Sequence, residues 1–314
     1  MLINSFLLSL NAVISIFTTM AVGYGAKRML HLEKAAIGRF NTMVFYTLLP
    51  LMLFYNIYSS NLRGGAGLQS LALALSVLLV LFLLTWAFIK RVEPMNSRRG
   101  VMIQASFRSN FLLLGMPLIQ ELCPGADLAV VSIMLAIVVP CYNALAVVTL
   151  ETFSRKHINI RHILLGIAKN PLIVASVAGL LANLSGLRLP DCLENPISQL
   201  GASASPVALL LLGAQFEFQD VRLHRRNLAI YTPLRLLVYP GAALSLAALS
   251  GLRGPEFAAL ISMFATPTAV SSFSMAAQMG GDPELAASAV TVTTLLSAAT
   301  MFLWIFLFKS LGMF

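Results

Sequence analysis

Residues 98–125 read RRGVMIQASFRSNFLLLGMPLIQELCPG, and residues 255–282 read PEFAALISMFATPTAVSSFSMAAQMGGD. Each stretch is long enough to cross a bilayer as a helix, which needs about 20 apolar residues. Each also carries a polar or helix-breaking cluster at its centre. Asn110 lies 11 residues beyond Arg99 and Pro267 lies 11 residues beyond Glu256. At about 1.5 Å per residue both are roughly 16 Å deep, close to the middle of a ~30 Å hydrocarbon layer. Pro267 removes a backbone donor and crowds the preceding turn, and Asn110 can bond backbone groups freed by unwinding. If both helices break there, two half-helix N-termini meet at the centre, each equivalent to about half a positive charge and suited to an anion. Singly, the plainer alternatives are a proline kink and an interhelical Asn bond. Matched depth in matching spans favours a site.

The rest of the chain fits a membrane setting. Of 314 residues 58% are hydrophobic and 11% charged, against roughly 25% charged in soluble domains. Mean hydropathy is +0.85. A soluble enzyme, a disordered chain and a nucleic-acid binder are therefore poor readings, and the net charge of +9 reads as topology, because the basic residues fall between apolar runs. Cys123, Cys141 and Cys192 are odd in number and lack metal-ligand spacing. The first ten residues carry no basic region, so no cleavable signal peptide is expected.

Ten spans are predicted near 5–25, 36–58, 67–89, 99–121, 127–150, 164–186, 197–216, 228–250, 255–279 and 285–308. Alternate loops hold Lys27, Arg28, Lys34, Arg39; Lys90, Arg91, Arg98, Arg99; Arg155, Lys156, Arg161, Lys169; and Arg222, Arg225, Arg226. The other side holds Arg63, Arg188, Arg253 and Lys309. The split of fifteen to four makes the rich side cytoplasmic, with both termini periplasmic. Residues 1–155 and 156–314 then form two five-span halves that must be inverted. Gly23 and Gly179, Pro50 and Pro206, and Gly125 and Gly281 are each 156 residues apart. Inverted five-helix repeats mark transporters that work by alternating access.

Arg108 lies about 14 Å into its span, where a charge costs about 2.5–3.5 kcal/mol. It either contacts substrate or neutralises the end of the first half-helix. Arg235 is shallower and either snorkels or packs against carbonyls. No Asp or Glu falls in the middle of any span, and all four histidines lie in basic loops. A cation antiporter normally keeps an intramembrane carboxylate, and the motifs of membrane-embedded hydrolases are missing too. No metal site, cofactor, catalytic residue or nucleic-acid partner is expected.

At these residues the chain resembles the auxin efflux carrier family, in particular its bacterial malate permease-like members. The resemblance rests on Leu49-Pro50-Leu51-Met52-Leu53-Phe54, on Ser109-Asn110 followed by Gly115-Met116-Pro117-Leu118, and on Asn170-Pro171-Leu172-Ile173. It rests further on Pro206-Val207-Ala208-Leu209, Arg235, Pro240, Ala265-Thr266-Pro267-Thr268-Ala269, Thr293, Ser297 and Thr300. It implies an all-α membrane protein with ten transmembrane helices, the fold of sodium/proton antiporters and bile-acid symporter relatives. Spans 1, 2, 6 and 7 would be the scaffold, through which a homodimer would form, and spans 3–5 and 8–10 the mobile bundle. Helices 4 and 9 would break at Asn110, Gly115, Pro117 and Pro267, and the anion would meet Arg108, Ser109, Asn110, Pro267, Thr268 and, secondarily, Asn143. The plant carriers have a proline where this chain has Ser109, so a milder break is expected in span 4. The leading function is transport of a small organic anion, a carboxylate, across the bacterial inner membrane by elevator-type alternating access. The alternatives are a receptor using the same pocket and a sodium-coupled symporter.

Overall fold

The computed structural model describes residues 2–59, 67–124, 129–154, 165, 168–214 and 223–314, and these are helical almost throughout. Arg63, Arg155, Lys156, Arg161 and Arg222 of the charge count, and Gly125 of the spaced pairs, lie outside the described residues. The first helices are α1 (Leu2–Met29), α2 (Lys34–Tyr46) and α3 (Leu48–Tyr58). The single span expected at 36–58 is thus interrupted at Thr47. Pro50 is the cause: it cannot donate to the Tyr46 carbonyl and its ring crowds that turn. Helices α4 (Leu68–Val92), α5 (Asn96–Phe107), α6 (Phe111–Leu122) and α7 (Ala129–Ser154) follow.

The second half runs through α8 (Pro171–Ser185), α9 (Asp191–Ala214), α10 (Arg225–Pro233), a five-residue π-helical turn (Leu234–Val238) and α11 (Tyr239–Leu249). It ends with α12 (Gly254–Phe264), α13 (Ser271–Gln278) and α14 (Pro283–Ser310). Caps set several of these ends. The Asn170 side chain accepts from the Leu172 amide at 2.9 Å with Pro171 at the first helical position, and Asp282 accepts from the Leu285 amide at 3.0 Å. Both place an acceptor on an otherwise orphan N–H, and Asp282 also puts a negative charge at the positive end of the helix.

Among the described residues five helical stretches are long and apolar enough to cross a membrane, counted through the turn at Thr47 and the π turn: Lys34–Tyr58, Leu68–Val92, Ile133–Phe153, Arg225–Leu249 and Pro283–Ser310. Their outward faces are apolar. Leu79, Val80, Leu83 and Leu84 on α4 are exposed, as are Val174, Val177, Leu181 and Leu184 on α8. Rows of exposed large apolar side chains on one helix face suit a lipid surround.

Four helices pack with backbone in contact. A Cβ on Gly23 of α1 would fall 1.9 Å from the Leu210 carbonyl oxygen of α9, and one on Gly213 would fall 1.8 Å from that of Met20. In α8, a Cβ on Gly179 would lie 2.7 Å from the Phe54 oxygen of α3. The two pairs, Gly23 with Leu210 and Gly179 with Phe54, are related by the same 156-residue shift. Small residues at such crossings allow close approach where lipid gives no hydrophobic drive to association.

Candidate functional site

Helices α5 and α6 are separated by Arg108, Ser109 and Asn110, and α12 and α13 by residues 265–270. The two interruptions cross and pair. Ser109 and Thr268 form an isolated antiparallel bridge. The Asn110 amide donates to the Pro267 oxygen at 2.7 Å, and the Ala269 amide to the Arg108 oxygen at 3.0 Å. The backbone groups freed by unwinding therefore satisfy one another, as a water-poor interior requires. Side chains fasten the crossing. Thr268 Oγ1 donates to the Ala105 oxygen at 2.8 Å, the Thr268 amide donates to Thr293 Oγ1 at 3.2 Å, and Gln104 Nε2 donates to the Ser272 oxygen at 2.9 Å.

The span 9 break has a local cause, since proline also drives the preceding residue out of the α region. The span 4 break has no proline. Ser109 stands where the plant carriers' proline would, yet the interruption is complete, because pairing with span 9 replaces the lost helical bonds. The Asn110 side chain, which could bond freed backbone groups, makes no cap bond at the start of α6. Gly115 and Pro117, expected at the hinge, lie inside α6.

The four half-helix ends divide by polarity. The C-terminal ends of α5 and α12 converge on Arg235, which is fully buried. Its Nε and Nη2 donate to the Thr266 oxygen at 3.0 and 2.6 Å, and Nη2 also reaches the Phe264 and Met263 oxygens at 3.0 and 3.3 Å. Nη1 lies 3.5 Å from both the Ser106 and Phe107 oxygens. Of the two roles open to Arg235, carbonyl packing is the one adopted. It is also the role considered for Arg108, whose guanidinium instead donates to Asn143 Oδ1 of α7 and abuts the Met275 sulfur of α13.

The N-terminal ends of α6 and α13 face a cavity of about 40 Å³. By a measure in which one water takes about 10–15 Å³, this is room for about three waters. The residues from the crossing, from the start of α13 and from α7 supply most of its polar lining, Arg108, Ser109, Asn110, Tyr142, Asn143 and Ser271, together with the apolar Val139, Ala269 and Val270. The lining residues from α2, α3, α8 and α9 are apolar apart from Asn41: Val44, Phe45, Leu49, Leu172 and Ala208. Ser109 Oγ donates to Tyr142 Oη at 3.1 Å. Asn110 Nδ2 and Asn143 Nδ2 are buried without hydrogen-bond partners among the described residues. Neither α6 nor α13 has a side-chain cap.

Of the predicted site residues, Arg108, Ser109, Asn110 and Asn143 come together on this cavity. Pro267 and Thr268 build the crossing but do not line the cavity. Tyr142, Ser271 and Asn41 were not singled out from the sequence. Tyr142 could have been found, since Val139, Tyr142 and Asn143 share one face of α7 at helical spacing. Ser271 is exposed as a lining residue only once the start of α13 is known.

A buried crossing of two broken helices, with its positive ends on a cavity and lipid-facing helices around it, defines a membrane transport protein. The chain matches the family described as membrane transport protein over residues 8–161 and 147–305. It therefore belongs to that family, which is that of the auxin efflux carriers. A Rhizobium meliloti protein provisionally named a malonate transporter is 23% identical over 310 residues, covering 95% of each chain. An uncharacterised transporter of Methanothermobacter thermautotrophicus is 27% identical over 135 residues, 43% of this chain and 44% of its own. The protein is thus a multi-pass membrane transporter and not an enzyme.

Proposed function

We propose that the protein carries a small carboxylate, with a short dicarboxylate such as malonate as the leading substrate, bound at the paired helix breaks. The observation that carries this reading is the pair of unsatisfied buried amides, Asn110 Nδ2 and Asn143 Nδ2, on the same cavity as Arg108 and two uncapped half-helix N-termini. A buried donor without a partner costs about 1–3 kcal/mol, and a carboxylate supplies the acceptors. The two half-helix ends contribute about +1 together, and Arg108 brings the local charge to about +2, the complement of a dianion. The apolar lining from α2, α3, α8 and α9 disfavours a second charge held far from the first, so two carboxylates on a short spacer fit better than on a long one.

Ten spans in two inverted five-helix repeats, split near residue 155, complete the proposal. Its support is the Gly23–Leu210 and Gly179–Phe54 contacts at one constant shift, together with the helix order. Spans 1, 2, 6 and 7 act as the scaffold and the others as an elevator bundle. Both termini face the periplasm of an inner membrane, and the scaffold is the surface for a homodimer. The test is radiolabelled malonate uptake by purified protein in liposomes, compared with Asn110→Ala and Asn143→Ala. Uptake by the wild type with weakened binding in both folded variants is the expected result. Folded variants with unaltered affinity would place the site elsewhere, and binding without uptake would make the protein a receptor.

A further inference from the structure

The carbonyl cluster at the crossing is an environment that demands a cation. The ends of α5 and α12 carry together about one negative charge, and five main-chain oxygens, from Ser106, Phe107, Met263, Phe264 and Thr266, point into one buried space. In transporters built from discontinuous helices, unwound carbonyls and half-helix C-terminal ends are where a coupling Na⁺ is held. Here the space contains a guanidinium. Among the described residues no carboxylate is paired with Arg235, so the carbonyls are its counter-charge.

The backbone is shaped to deliver it. Residues Leu234–Val238 form a π turn, with the Tyr239 amide bonded to the Leu234 oxygen. Such widened turns are rare and cluster at functional positions. The Leu236 oxygen, within the irregular turn, accepts from Trp304 Nε1 at 2.9 Å. The fork of the guanidinium reaches both half-helix ends at once, which the single point charge of a lysine cannot do.

We propose that Arg235 is the resident cation of the crossing: it fills the carbonyl site that a coupling ion would take, so the protein binds and moves its anion without Na⁺ or K⁺. The proposal rests on the reading of the breaks as the anion site, but it is tested first without substrate. Purified wild type and Arg235→Ala are melted in detergent at constant ionic strength, with choline, sodium, potassium or millimolar guanidinium as the cation. The wild type should melt at one temperature in all four. Arg235→Ala should melt lower in choline and recover part of the loss in sodium or guanidinium, which can enter the vacated site. A wild type stabilised by sodium or potassium, or an Arg235→Ala that matches the wild type in choline, would overturn the proposal. Should Arg235→Ala not fold, the wild type decides alone. Malonate uptake unchanged between choline and sodium supports the resident cation, and a rise of about tenfold or more with sodium refutes it. Absence of malonate uptake in every buffer would remove the substrate reading, while the melting result would stand.

Discussion

Arg108→Gln separates two roles that one buried arginine can play. In the structure Arg108 lines the cavity beside Asn110 and donates to Asn143 Oδ1. Glutamine removes the charge but keeps an amide that can still bond Asn143, so the pocket should remain ordered. A hydrogen bond to a charged group contributes about 1.5–3 kcal/mol, which converts to a loss of about 10- to 150-fold in malonate affinity. The half-helix dipoles remain, leaving about half of the local positive charge of about +2. A dianion should therefore lose more affinity than a monocarboxylate, and the preference between them should narrow. Titration calorimetry in detergent measures both affinities, with circular dichroism reporting helix content. A folded Arg108→Gln protein with unchanged malonate affinity would show that Arg108 only packs against Asn143 and Met275, and the charge argument for the substrate would fail.

Gly213→Ala should destabilise the contact between α1 and α9. Its Cβ would begin 1.8 Å from the Met20 oxygen, so the backbones must separate by more than an ångström, at a cost of about 1–3 kcal/mol. A lowered melting temperature checks this, with Gly25→Ala, which meets nothing within 4 Å, as the neutral control. Asp282→Asn loses the charge that faces Arg98 Nε at 3.1 Å in a part-exposed setting, keeps the cap on α14, and should change stability by less than about 1 kcal/mol. Its uptake should keep the wild-type pH profile, and loss of that profile would show that a carboxylate carries the proton. Cys192 is exposed near the start of α9. In a variant with Cys123 and Cys141 replaced, a membrane-impermeant maleimide should label it from the periplasmic side. Labelling only from the cytoplasmic side would reverse the proposed orientation.

The helices were legible because the apolar runs are long and their ends carry ordinary punctuation: Asn170-Pro171, Asp282-Pro283, and Lys90-Arg91 at the end of α4. The break in span 9 was legible for the same reason, since a mid-span proline acts locally. The position of the span 4 break at Asn110 could be reasoned from matched depth and from the family resemblance, not from local propensity. What makes it is a bridge between Ser109 and Thr268, residues 159 apart in the chain, and no local propensity encodes that pairing. Gly115 and Pro117 show the converse: both look like breakers and both sit within a helix. The interruption at Thr47 was missed although Pro50 was in view, because an apolar run reads as continuous when hydropathy is the signal.

Two arginines lie in the core of a transporter with no mid-span carboxylate because the broken helices bring charged ends into it. Four half-helix ends meet at the crossing, two positive and two negative, each equivalent to about half a charge. Arg235 cancels the negative pair. Among the described residues no acidic side chain lines the cavity beside the positive pair and Arg108, whose partners Asn143 and Met275 are neutral. That residual charge of about +2 sits in a low-dielectric interior, where an uncompensated charge is costly and a matching one is held strongly. Under the function proposed above, the missing counter-charge is the substrate. On that proposal, a bundle holding a dianion would be close to neutral inside and an empty one would not, so the imbalance that selects the anion would also favour movement of the loaded bundle across the membrane.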